Sequence, residues 1–277
     1  MSVIEIDAAW IEAHPLPAAD GGKEERGRIL VVGGQADLLG AVRLAGEAAL
    51  RAGAGKLQIT APAEAVSTAS LLTPEARVLT LPARDAAPDP DLVESLQHAD
   101  AVLIGPGMSA SQIAQAEALA AEVRGWLVLD AAALAAARRS NRQCAAMVLT
   151  PHAGEMARLL GVDRQTVEAD PRAAAERAAT ALDAVVAMKG PQTFIAAPEG
   201  RIARYGGGGP GLGVSGSGDV LAGVVTGLLA RGVPPFEATC WGVFLHGEAG
   251  RRLARTVGEV GFLSREIAAE IPRLMTR

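Results

Sequence analysis

Short apolar runs that stop at glycine, proline or a single polar residue recur along this chain, separated by stretches of helical periodicity. Arg28–Val32 stops at Gly33-Gly34, and residues 56–60 stop just before Pro62. Residues 101–104 stop at Gly105-Pro106-Gly107, and residues 126–129 at Asp130. Residues 146–149 stop at Thr150-Pro151-His152, and residues 184–188 at Lys189-Gly190. Runs that are apolar throughout, rather than alternating, are those of strands buried on both faces. A weaker strand is read at 77–79. Between the strands, helices are expected at 40–53, 90–97, 111–123, 131–139, from Thr150 to 160, and at 171–182. Thr150 is expected to cap its helix, with Pro151 at the first helical position. Residues 193–197 and 201–205 read as a hairpin around Pro198-Glu199-Gly200. The remainder is helical, at 220–230, 235–256 and 263–274. Strand and helix in alternation imply an α/β fold, a mostly parallel sheet covered by helices on both faces. Residues 1–277 are expected to form a single domain, with residues 1–27 an irregular lead-in. In such sheets ligands bind beyond the carboxyl ends of the strands. Five of the strand ends above, all but that of 56–60, are expected to gather on that edge around a site.

One stretch interrupts the rhythm. From Gly206 to Gly213 the chain is nearly all glycine, broken by Pro210 and Leu212, so neither helix nor strand is expected. Gly216-Ser217-Gly218-Asp219 then opens into an apolar helical run. A glycine-rich loop feeding a helix start exposes unpaired N–H groups at the positive end of the helix dipole, which suits a phosphate. Asp219 is out of place there, because a carboxylate repels a phosphate. It either offsets the helix dipole or takes a proton from a substrate hydroxyl that attacks a phosphoryl group held on the N–H groups.

Composition removes several classes of function. With 3% aromatic residues and a net charge of −5, base-stacking platforms and basic tracts for nucleic acid are lacking. No apolar run reaches the roughly 20 residues needed to cross a bilayer, and no signal peptide is read. Cys144 and Cys240 lack metal-ligand spacing, which fits a reducing cytoplasm.

Neither standard nucleotide motif survives inspection. Gly55-Lys56 is followed by Leu57, so there is no P-loop. The G-x-G-x-x-G match at 211–216 has no second strand after its helix, as a dinucleotide fingerprint requires. Of the strand-end residues, His152 is either a helix-start histidine bonded to backbone or a ligand contact. Lys189 is either a point charge for phosphate or a solvated lysine. Asp130 binds a metal or hydroxyl, or caps the next helix. His246 is read as packed inside a helix.

The Gly216-Ser217-Gly218-Asp219 block resembles the anion hole and catalytic aspartate of the ribokinase-like superfamily. Together with Pro151-His152-Ala153-Gly154-Glu155, Gly40-Ala41-Val42-Arg43 and Gly105-Pro106-Gly107, it resembles the carbohydrate-kinase-like NAD(P)H-hydrate dehydratases. That resemblance implies repair of hydrated NADH or NADPH. The C6 hydroxyl is phosphorylated by ADP (or ATP) with Mg2+, and phosphate is then eliminated. It assigns Asp219 as the base and Gly216, Ser217 and Gly218 as the anion hole. Ala41, Gly107, His152 and Asp219 are placed at the substrate, and Lys189, Gly190, Pro191, Gln192, Thr193 and Gly218 at the nucleotide. No side chains are assigned as dedicated metal ligands. It further implies a homotetramer and a separate epimerase in the same cell. A vitamin-precursor kinase of the same superfamily, or a silent nucleotide sensor, is the alternative. Ala132, Gly209 and the 21–27 segment depart from the family pattern.

Overall fold

A computed structural model describes residues 2–18, 21–84, 86–138 and 143–275. The elements run β1 (Ile4–Glu5), α1 (Ala8–Ala13), β2 (Arg28–Val32), α2 (Leu39–Arg51), β3 (Lys56–Pro62), α3 (Val66–Leu72), β4 (Ala76–Leu81) and α4 (Pro90–His98). They continue through β5 (Ala101–Ile104), α5 (Ile113–Glu122), β6 (Trp126–Leu129), a 3-10 stretch (Ala131–Arg138), β7 (Ala146–Leu149), α6 (Ala153–Leu160), α7 (Arg164–Ala169) and α8 (Pro171–Leu182). The last are β8 (Val185–Met188), β9 (Thr193–Ala196), β10 (Ile202–Tyr205), α9 (Ser217–Ala230), α10 (Pro235–Thr256) and α11 (Ser264–Met275).

All ten strands form one sheet in the order β1-β10-β9-β8-β7-β6-β5-β2-β3-β4. From β4 to β8 every neighbouring pair is parallel; β9 and β10 add the antiparallel hairpin. Successive side chains on a strand face opposite ways. Ile29 and Val31 therefore enter one core layer while Leu30 and Val32 enter the other, and β5 divides in the same way. Burial on both faces is why these runs are apolar throughout. α2, α9, α10 and α11 cover the first face, and α4, α5, α6 and α8 the second.

α9 lies almost wholly inside the first layer, with Val220 to Ala230 all buried. Its approach to α2 is set by two glycines one turn apart. A Cβ on Gly223 would stand 2.1 Å from the Ala45 carbonyl oxygen, and one on Gly227 2.4 Å from that of Ala49. The two backbones therefore touch. No helix among the described residues is long and apolar enough to cross a membrane.

Three expectations need correction. The lead-in is not irregular throughout: α1 forms, capped by the Asp7 carboxylate accepting from Trp10 N–H, and β1 pairs with β10 at the sheet edge. The segment after β6 is a 3-10 helix, not an α-helix, and Arg139, its expected last residue, lies outside the described residues. Thr150 does not cap α6. His152 does, its Nδ1 accepting from Gly154 N–H at 3.0 Å while the Glu155 carboxylate accepts from His152 N–H at 2.9 Å. The Thr150 hydroxyl is committed elsewhere.

Candidate active site

The carboxyl ends of β6, β7 and β8 are adjacent, and each delivers one polar residue. Asp130 follows β6, Thr150 follows β7 and Lys189 follows β8. The Thr150 hydroxyl donates to Asp130 Oδ1 at 2.8 Å, and Lys189 Nζ donates to the same oxygen at 3.1 Å. Two elements beyond the strands fix this cluster. Lys189 N–H donates to the Pro151 carbonyl at 2.8 Å, so the β7–β8 pairing continues into His152 and Lys189. Ala131 takes φ +50°, uncommon for a residue with a Cβ, and turns the chain directly out of β6 after Asp130. Burial alone would favour neutral Lys189. The charges of Asp130, Glu155 and Asp219 outweigh it, and the lysine holds its proton more tightly than usual.

The start of α9 meets this cluster. A Cβ on Gly218 would lie 3.3 Å from Lys189 Nζ and 3.9 Å from Asp130 Oδ2, so the first turn of the helix faces both charges across an open space. The first helical bond is Val220 N–H to the Gly216 carbonyl. The N–H groups of Gly216, Gly218 and Asp219 have no partner among the described residues. Ser217 N–H differs: it donates to the Val214 carbonyl at 3.2 Å. The N–H groups open to an anion in this cradle-shaped turn are thus those of Gly216, Gly218 and Asp219, whereas the Ser217 N–H is occupied within the loop. The Ser217 side chain instead braces the loop, its hydroxyl 2.9 Å from His246 Nε2, which also reaches the Ser217 carbonyl at 3.1 Å. On the other side, the Ser264 hydroxyl donates to the Ser215 carbonyl at 2.6 Å.

Asp219 stands on the first turn of α9. Burial, reinforced by Asp130 and Glu155 and opposed by Lys189, pushes its carboxyl up to about 7. A carboxylate with that proton affinity is poised to accept a proton near neutrality, as a general base requires. Burial pushes His246 down to about 4, so it stays neutral and serves as a hydrogen-bonding brace.

A cleft of about 800 Å³ opens beside the cradle. Of the residues expected at the nucleotide, Lys189, Gly190, Pro191, Thr193 and Gly218 line it; Gln192 is exposed and is not on its wall. His152 lines it as well, so it is both the α6 cap and a cleft residue. The sequence did not single out the opposite apolar wall of Leu212, Val214, Leu221 and Val243, nor Tyr205, the one tyrosine of the chain. The apolar positions of a glycine loop and of a buried helix look the same whether they face core or cleft. Ala41 and Gly107 lie outside this cleft but beside each other: a Cβ on Gly107 would stand 3.3 Å from that of Ala41. They sit over β2 and β5, which places them on the far side of the β6 end from this cleft.

A helix N-terminus with free N–H groups, an aspartate on its first turn and a lysine across the gap, all at the carboxyl edge of a mostly parallel sheet, define a protein of the ribokinase-like class; solved ribokinase-like proteins share this architecture. Within that class the chain belongs to the NAD(P)H-hydrate dehydratase family, whose model matches residues 29–273. It is 46% identical to an ADP-dependent (S)-NAD(P)H-hydrate dehydratase from Xanthomonas campestris, over 98% of this chain and 96% of that one. It is 36% identical to a bifunctional NAD(P)H-hydrate repair enzyme from Moorella thermoacetica, matching 98% of this chain but only 53% of that longer protein. The crystal structure of an ADP/ATP-dependent NAD(P)H-hydrate dehydratase from Bacillus subtilis, co-crystallised with ATP and Mg2+, superposes with a TM-score of 0.87 at 29% identity. That match covers 100% of this chain and 99% of that one.

Proposed function

We propose that this protein carries out the ADP-dependent dehydration of (6S)-NAD(P)H hydrate, returning NADH or NADPH with release of AMP and phosphate. The observation that carries the reading is Asp219: a carboxylate pushed up to about 7, on the same helical turn as the free N–H groups of Gly218 and Asp219. ADP lies in the cleft along Lys189, Gly190, Pro191 and Thr193, with its β-phosphate in the cradle. The hydrated nicotinamide ring enters from the Ala41 and Gly107 side, near His152, and presents its C6 hydroxyl to Asp219. Asp219 takes the hydroxyl proton, the hydroxyl oxygen bonds to the β-phosphorus, and the bond to the α-phosphate oxygen breaks to leave AMP. The cradle N–H groups and Lys189 stabilise the charge on the transferred group. The ring nitrogen then expels phosphate from C6, and loss of the C5 proton restores the ring double bond.

Mg2+ keeps much of its water shell and binds through phosphates and one or two carboxylates. No group of three His, Cys, Asp or Glu among the described residues forms a dedicated cage. Asp130, whose Oδ2 faces the start of α9, fits the lighter pattern and would hold a nucleotide-borne Mg2+, which would supply charge neutralisation to the phosphates. A cytoplasmic location, a homotetramer and a separate epimerase that interconverts the hydrate epimers belong to the same reading. The test is to supply hydrated NADPH with ADP and Mg2+, and in parallel with ATP, and to follow dihydronicotinamide absorbance. Recovery with ADP is expected, and no recovery with either nucleotide overturns the assignment. A stable phosphorylated product in place of recovered NADPH would point to a kinase instead.

A further inference from the structure

A second cavity, of about 680 Å³, opens at the end of α9 opposite Asp219. Its walls are largely apolar, from Ile11 of α1, Leu16, Trp241 and Phe244 of α10, and Met275 of α11. Two arginines also line it, Arg26 and Arg231, and neither meets a carboxylate among the described residues. Arg231 is anchored by neutral groups, with Nη1 donating to the Ala52 carbonyl at 3.1 Å and to Met275 Sδ at 3.9 Å, and Nη2 to the Pro17 carbonyl at 2.8 Å. The Arg26 side chain makes no hydrogen bond among the described residues, and its Nε is buried without a partner. Glu12 lines the same cavity but is exposed at its rim, and forms no ion pair with either arginine among the described residues. Burial and the neighbouring charge of Arg26 together loosen the hold of Arg231 on its proton.

Two like charges side by side against apolar walls are unfavourable unless an anion joins them. Other arginines of this protein have that partner: Arg204 pairs with Glu5, and Arg201 with Glu199 and Glu237. The planar guanidinium matches a carboxylate in two-pronged fashion, and the rest of the cavity would accept hydrocarbon at a gain proportional to the area buried. We propose that this cavity is a binding site for a small amphipathic carboxylate, its head held between Arg26 and Arg231 and its aliphatic tail packed on Ile11, Leu16, Trp241 and Phe244. The site stands apart from the catalytic cleft and does not depend on the reaction assigned to it.

Decanoate is the probe, measured by calorimetry and by the shift in thermal midpoint. The protein should bind it saturably with or without excess ADP. Decanol and decylammonium should show no saturable binding. Arg26→Gln removes a side chain without a hydrogen bond among the described residues, so the variant should fold with an unchanged or higher midpoint and bind decanoate at least tenfold more weakly. Absence of saturable decanoate binding overturns the proposal, as does equal binding of decanol or decylammonium. Displacement of decanoate by ADP would assign it to the catalytic cleft and also overturns the proposal. So does undiminished binding to Arg26→Gln; the head-group series on the unaltered protein decides the matter even without a variant.

Discussion

Lys189 Nζ lies 3.1 Å from Asp130 Oδ1, and the two side chains are only 19% and 5% exposed. The pair joins the ends of β8 and β6 across β7, and it sets the charge that Asp219 experiences. Lys189 lowers the proton affinity of Asp219 and Asp130 raises it. Lys189→Met would strand the Asp130 carboxylate with Thr150 as its remaining hydrogen-bond donor. Breaking one side of a buried pair costs roughly 3–5 kcal/mol, and urea unfolding should show a loss of this order. The double variant Asp130→Asn/Lys189→Met should recover much of it, because no uncompensated charge is left.

The same pair predicts opposite movements of a pH profile. A base must be deprotonated to act, so kcat/KM should rise with pH along an acid limb near 7, where the Asp219 carboxyl titrates. Asp130→Asn removes a negative neighbour and should move that limb to lower pH. Lys189→Met removes a positive one and should move it higher. Limbs that stay in place would separate Asp219 from the titration.

Asp219→Asn should lower turnover by roughly 10²–10⁴-fold, the usual contribution of a positioned general base. ADP binding, measured by calorimetry, should persist, because the cradle N–H groups belong to the backbone. The variant also carries a stability signature. A carboxyl raised from its ordinary 3.8 to about 7 binds its proton more tightly in the folded chain than in the unfolded one. The stability this supplies is complete below about pH 4 and is lost as pH rises through 7. Asparagine mimics the protonated form. The variant should therefore melt higher than the unaltered protein at pH 8, and the difference should vanish by pH 4.

The central strands were legible because each is buried on both faces and ends in a glycine or a polar residue. α3 was not: its sequence, Val-Ser-Thr-Ala-Ser-Leu-Leu, buries only Ala69 and leaves Leu71 85% exposed, so no apolar face betrays the helix. β1 has two residues and exists because β10 offers it an edge, which no local pattern records. In the site, the glycine loop and Asp219 stood out as a local conflict between phosphate and carboxylate. The gathering of Asp130, Thr150 and Lys189 at one edge was expected from their places after strands, but their bonds to one another were not, because the partners are 20 and 59 residues apart in the chain. Thr150 illustrates the limit: it has the chemistry of a helix cap, yet a carboxylate from a neighbouring strand claims its hydroxyl, and His152 caps instead. Which N–H groups of the cradle are free also depended on a turn, Val214 to Ser217, that composition does not specify.

Two glycines on one helix should respond to alanine in opposite ways. Gly218 faces the open cradle, where an added Cβ would meet, among the described residues, only Lys189 Nζ at 3.3 Å and Asp130 Oδ2 at 3.9 Å. The fold tolerates that methyl, but it occupies space that the transferred phosphate needs. Gly218→Ala should retain its thermal midpoint within about 2 °C, since less than 1 kcal/mol is at stake at this chain length, while kcat/KM for ADP falls by at least tenfold. Gly223, five residues on, faces α2, where the same methyl would stand 2.1 Å from the Ala45 carbonyl oxygen. Backbone cannot yield as a flexible side chain does, so α2 and α9 must separate, at a cost of roughly 1–3 kcal/mol or more. Gly223→Ala should therefore lower the midpoint by several degrees. Melting curves and ADP kinetics on both variants check the contrast: a destabilised Gly218→Ala with normal kinetics would place the phosphate elsewhere.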